Sequence, residues 1–220
     1  MSESRVRLVP PLASSPRHAR LLRNRLRRWV SPFESGAEPP TVAVMMTPRA
    51  LAQLAEHAAS DLDNEVGGVL VGKWMLESEK REEVVLVESI LRARHVRQGS
   101  TFITFTQDSL VALNDELDAK HPRRLMVGWY HTHPRMGVFL SGYDTWLHEH
   151  FFPESWQVAL VIEPHSTTCG FFIRTADGTL DPQRYYGFRE ILAGSGRSEV
   201  EWRNLAPPAP ALALDGGSST

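Results

Sequence analysis

One cysteine in 220 residues, Cys169, excludes an intramolecular disulfide. A chain without such staples must rest on a packed core, and its 42% hydrophobic content can supply one. No apolar run approaches the ~20 residues that a membrane-spanning helix needs. The early arginines are not followed by a continuous apolar stretch, so no secretory signal pattern is present, and a cytoplasmic location is the default expectation. Lysine is scarce too, three against twenty-one arginines, a compositional hint of a GC-rich, bacterial genome. No internal repeat is visible.

What charge there is lies unevenly. The net charge is -2, yet residues 1–40 hold eight Arg against three Glu, so the remainder is acidic. In the basic run "RHARLLRNRLRRW", residues 17 to 29, Leu22, Leu26 and Trp29 fall at i, i+4 and i+7, a spacing that could form an amphipathic helix. Such a segment can contact nucleic acid or a membrane surface. A single short basic run is better read as a solvated or docking arm, so neither partner is expected. Turn formers in "SPFESGAEPP", residues 31 to 40, make a linker, and the Pro-, Ala- and Gly-Ser-rich tail from Ala206 stays off the core. The expected division is an arm and linker over 1–40, a domain over 41–200 and a tail over 201–220.

Within 41–200, apolar and β-branched stretches predict strands at "TVAVMM", "EVGGVLVGKW", "EEVVLVESIL", "TFITFT", "RLMVGWYHTH", "WQVALVIEP" and "TCGFFIR". The paired glycines of "EVGGVLVGKW" suggest close packing or a bend. Helices are expected at "PRALAQLAEHAASD", "TQDSLVALNDELDAKH" and "SGYDTWLHEHFF". Strands alternate with helices, but some follow one another directly. The expected class is α/β, a mixed sheet with helices on its faces.

The chemistry concentrates in "GWYHTHPRMGVFLSGYD", residues 128 to 144. His131 and His133 stand two apart at a strand end, where a period of two puts both imidazoles on one face. Pro134 ends the strand. Ser141 and Asp144 lie three apart at a helix start, so Asp144 points back toward the strand end. Two His and one Asp give three ligands and leave the fourth tetrahedral position of a zinc ion open for water. Each piece has an ordinary explanation: imidazoles are often just hydrogen-bonded, and Ser141 with Asp144 makes a helix cap. Joined within fourteen positions they are far more specific. His148, four residues after Asp144 on the same helical face, competes as a ligand, whereas His150 is displaced by more than half a turn. The preferred set is His131, His133 and Asp144, with His148 beside the site or on the surface. Cys169, without a sequence-local His, reads as a core residue.

"GWYHTHP", the ten residues between His133 and Asp144, and "FLSGYD" resemble the JAMM signature of the JAB/MPN metallopeptidases. The resemblance extends to "VALVIEP" and upstream to "NEVGGVLVG", and covers about 43–190. It implies a mixed, curved β-sheet flanked by helices, the MPN or cytidine-deaminase-like fold. It also implies one zinc per chain on His131, His133 and Asp144, with Glu65 as general base and Ser141 as oxyanion donor. The implied activity is hydrolysis of the isopeptide bond after the C-terminal glycine of ubiquitin or a ubiquitin-like protein in conjugates. Other components of a bacterial conjugation operon are further expected partners. Two alternatives stay open: a peptidase trimming a ubiquitin-like or sulfur-carrier precursor to expose Gly-Gly, and a zinc-holding scaffold without turnover. An extended Gly-Gly tail can add to an exposed strand edge, and "RQGSTFITFT", residues 97 to 106, is the candidate edge.

Overall fold

The computed structural model describes residues 15–19, 26–35, 38–93, 107–194, 196–198 and 200–206. The candidate edge at 97–106, and with it "TFITFT", lies outside them, as does most of the C-terminal tail. At the centre stands an antiparallel pair of long strands, β4 (Gly67–Glu77) and β5 (Glu82–Arg92). The register shifts between Val71 and Gly72, a bulge that bends the pair. Close approach explains the glycines of β4. A Cβ on Gly68 would sit 2.1 Å from the Leu91 carbonyl oxygen, and one on Gly72 would sit 1.8 Å from that of Leu86.

On one side of β4 lie β6 (Leu125–Thr132), β7 (Val158–Glu163) and β8 (Thr168–Phe172), with β6 and β7 parallel. On the far side of β5 lie β3 (Ala43–Met46), then β9 (Phe188–Ile191) and β2 (Leu26–Trp29). A short β1 (Arg17–Ala19) pairs with the carboxyl end of β4. The sheet is thus mixed, nine-stranded and α/β in class.

Helix α1 (Pro48–Ala58) begins where the Thr47 side chain accepts the Ala50 N–H, with Pro48 in the first turn. It buries Leu51 and Leu54 beside the sheet. Helices α2 (Gln107–Lys120) and α3 (Gly142–Phe151) complete the described helices. None of them is long and apolar enough to cross a membrane.

The basic run is a correction. The described part of residues 17–29 forms β1 and β2, not an amphipathic helix; 20–25 lie outside the described residues. Three apolar positions are a short periodic signal, and tertiary pairing outweighs it. Leu26–Trp29 pairs with β9, the Trp29 indole donates to buried Glu190 at 2.9 Å, and the Arg27 guanidinium stacks over Trp29 while pairing with Glu201. Core packing therefore reaches Trp29 on one side and Trp202 and Leu205 on the other. The Asn204 side chain bonds both backbone groups of Cys169, covering β8 in the manner of a neighbouring strand.

Candidate metal centre

Strand β6 is buried from Met126 to its end and runs between β4 and β7. His131 lies opposite Gly67 on β4 and Val161 on β7. The chain then continues in register long enough for the His133 N–H to reach the Ile162 carbonyl at 2.8 Å. Both imidazoles share a face, as a period of two requires, and their Nε2 atoms stand 2.8 Å apart.

Asp144 comes to the same point from α3. Ser141 is the N-cap: its hydroxyl oxygen accepts the Asp144 N–H at 3.2 Å, while Asp144 Oδ2 accepts the Ser141 N–H at 2.7 Å. This reciprocal cap turns the carboxylate back toward β6, with Oδ1 3.5 Å from His131 Nε2 and Oδ2 3.9 Å from His133 Nε2. The capping and ligand readings of "SGYD" are therefore compatible. One arrangement serves both.

Glu65 arrives from the loop before β4. Its neighbour Val66 is bonded in both directions by Thr132, the residue between the two histidines. That places Glu65 Oε1 3.9 Å from His133 Nε2, with the carboxylate side chain nearly buried.

The donor set suits a metal ion. His131, His133 and Asp144 are buried, and one ligand atom from each lies within 4.8 Å of the others. In a tetrahedral zinc site with bonds of about 2.0–2.2 Å, ligand atoms stand roughly 3.3–3.6 Å apart, so only small adjustments are needed. The protonation states of His133 and Asp144 also match. Burial, then the nearby His131, lowers the His133 pKa to about 4. Burial pushes the Asp144 carboxyl up, but hydrogen bonds from His131 and Ser141 overcome this and hold it at about 2. Imidazole nitrogens with an anionic carboxylate are the forms that bind zinc near neutrality.

Two other histidines brace β6 without joining the cluster. Trp129 and Tyr130 point to opposite faces of the strand. The Trp129 indole donates to His148 Nδ1 on α3 at 3.1 Å, and the Tyr130 hydroxyl lies 2.8 Å from His57 Nδ1 on α1. Trp129 also stacks flat on His131, ring centroids 4.8 Å apart. His148 is thus fully buried behind the site, holding the residue that packs on His131. Burial, then Arg174, lowers its pKa to about 3. His150 is exposed and bonds the Trp146 carbonyl. Cys169 is buried, with its thiol pushed well above the usual range by desolvation, which suits a core residue. Sequence reasoning passed over Trp129 and Glu163 as contributors. The one signal for Glu163 was a carboxylate between a wholly apolar strand and Pro164.

A mixed α/β sheet in which an interior strand and its end bring two histidines to a helix-capping aspartate defines an MPN-type protein with a buried His-His-Asp cluster. The chain belongs to the JAB1/Mov34/MPN/PAD-1 ubiquitin protease family, whose profile matches residues 40–153. It is 25% identical over 154 residues to the 26S proteasome non-ATPase regulatory subunit 14 of Caenorhabditis elegans, covering 70% of this chain and 48% of that protein. It is 23% identical over 163 residues to the ubiquitin carboxyl-terminal hydrolase RPN11 of Saccharomyces cerevisiae, covering 74% and 52% respectively. The chain thus spans about half the length of the curated relatives it matches. A solution structure of a protein from Desulfitobacterium hafniense superposes with a TM-score of 0.48 at 19% identity, covering 72% of this chain and 95% of that one.

Proposed function

We propose that the protein is a zinc-dependent isopeptidase that releases ubiquitin or a ubiquitin-like protein from conjugates in the cytoplasm, the metallopeptidase unit being residues 41–200. The observation that carries this reading is the buried His131–His133–Asp144 cluster with a carboxylate, Glu65, 3.9 Å from one of its ligand nitrogens. His131, His133 and Asp144 would hold zinc. When bound, zinc supplies Lewis acidity for the scissile carbonyl and lowers the pKa of water to about 7.

Glu65 then takes a proton from the attacking water and returns it to the departing lysine amine. Its anchoring through Val66 and Thr132 keeps the carboxylate beside the ligands. Ser141 Oγ accepts the Asp144 N–H, so its own hydrogen remains available to the oxyanion that develops along the reaction. A donor in that role is worth about 3–4 kcal/mol. Asp144 orients the serine through the cap while serving as a ligand, so the two functions are linked through one side chain. No covalent intermediate is required.

The named activity of the yeast relative supports the choice of a ubiquitin-type substrate. The test is cleavage of a lysine conjugate of a ubiquitin-like protein, run beside a precursor of that protein extended beyond Gly-Gly. Faster release from the conjugate supports the isopeptidase. Faster cutting of the extended precursor would replace it with a processing peptidase, and inertness of the zinc-loaded protein on both would favour a scaffold.

A further inference from the structure

Glu163 ends β7 one residue after Ile162, whose carbonyl takes the His133 N–H. Its side chain is nearly buried and receives four donors. Oε1 accepts the N–H groups of Arg135 and His165, each at 3.0 Å. Oε2 accepts the Ser166 N–H at 2.7 Å and the Ser166 hydroxyl. Burial pushes this carboxyl up, but Ser166, Arg135 and His165 together hold it at about 2.

The turn held in this way is the one that follows a ligand. Arg135 adopts φ 62°, a left-handed conformation that a non-glycine residue keeps only when its surroundings enforce it. Beyond it, the Met136 N–H donates to the His133 carbonyl at 3.2 Å, and the Gly137 carbonyl lies 3.3 Å from His133 Nδ1. A proton on Nδ1, shared with Gly137, leaves the Nε2 lone pair facing His131 and Asp144. Two solvent-exposed links from the same clamp reach the loop that carries Glu65. His165 Nε2 bonds the Leu62 carbonyl at 2.8 Å, and the Arg135 guanidinium pairs with Asp63 at 3.2 Å.

We propose that Glu163 is a positioning residue for the metal centre: its carboxylate fixes the turn that orients His133 toward the metal and, through His165 and Arg135, the loop that presents Glu65. This inference rests on the zinc-enzyme reading above. The four-donor arrangement makes Glu163→Gln a sharp probe. An amide has nearly the same shape, but whichever way it is turned its NH2 faces a pair of donors. Glu163→Asp restores the charge with one methylene fewer.

Zinc affinity, measured by competition with a chromophoric chelator, is the first readout, because a mere fold-stabilising role would not move it. Glu163→Gln should weaken zinc by about 10–100-fold, the usual cost of losing a group that orients a ligand, and Glu163→Asp should lie between it and wild type. At saturating zinc, kcat should fall in Glu163→Gln while KM holds, since Glu65 acts on the chemistry. A lowered melting temperature with zinc affinity within twofold of wild type would overturn the proposal. If Glu163→Gln does not fold, Glu163→Asp carries the test: at least threefold weaker zinc supports the clamp, and unchanged zinc overturns it. A wild type without zinc affinity sinks the metal-centre reading and this inference together. A zinc-binding wild type matched by its variants sinks the inference alone.

Discussion

The two flanks of the sheet use buried polar groups in opposite ways. Around β2 and β9 most polar groups close a contact, the buried Trp202 indole N–H being an exception among the described residues. Glu190 takes the Trp29 indole and the Ser198 hydroxyl, and the Arg189 guanidinium meets Glu82 with two nitrogens at 2.6 Å each. Around the ends of β6 and β7, polar atoms face one another instead. Two imidazole Nε2 atoms and two carboxylates share a small buried space, and His131 Nδ1 and His148 Nε2 have no hydrogen-bond partner among the described residues. A buried polar group without a partner costs roughly 1–3 kcal/mol, so two such imidazole nitrogens beside two buried carboxylates point to something other than stability. One flank fastens chain ends to the core. The other holds groups ready for a ligand.

The largest expected effect breaks the second flank alone. Changing His131 and His133 together to Ala should take zinc from about one per chain to none by elemental analysis, with conjugate cleavage lost entirely. The same pair should leave melting of the metal-free protein near its original temperature. His148→Ala tests the choice of ligands, because it should retain zinc while loosening Trp129. Loss of zinc there would make His148 a ligand.

Acid should act next, through histidines that brace β6. Burial foremost, then Arg92 against a smaller opposing pull from Glu56, lowers His57 to about 4; burial and Arg174 lower His148 to about 3. In the unfolded chain both take up protons below about 6.5, while the native protein resists. Their contribution to stability is therefore full above pH 6.5 and is lost progressively as pH falls toward 4 and 3. Urea unfolding of metal-free protein, in which His133 is lowered to about 4 as well, should show a loss of roughly 2–6 kcal/mol between pH 7 and pH 5. A flat profile would mean that these imidazoles are already charged in the native state.

The smallest effect belongs to the fastening flank. Trp29→Phe removes the indole donor from Glu190, whose bond from the Ser198 hydroxyl is retained. Stability should fall by about 1–3 kcal/mol, with zinc affinity unchanged. A drop in zinc affinity would show that the two flanks are coupled, against the separation drawn above.

The same contrast explains what could be read in advance. His131, His133 and Asp144 were legible because strand period, a proline stop and a helix cap act over a few residues, and all fall in one short stretch. The elements from β3 to β8 were legible for the same local reason, their apolar or periodic runs, save the run at 101–106, which lies outside the described residues. Strands β2 and β9 were not. They are four residues each, carry Arg27, Arg28, Arg189 and Glu190, and exist through partners far along the chain. The Trp29–Glu190 bond spans 161 positions, a distance over which local pattern carries no information. Glu163 escaped for a related reason, since a carboxylate before proline reads as a turn until its donors are in place.

Zinc content measured together with turnover in Glu65→Gln separates metal binding from proton transfer. Glu65 is assigned to proton transfer, so the amide, equal in shape but unable to take the proton, should keep about one zinc per chain and the melting temperature of wild type. Cleavage of the lysine conjugate at saturating zinc should fall by roughly 10²–10⁴-fold. Turnover equal to that of wild type, with zinc retained, would contradict the account and remove Glu65 from the chemistry.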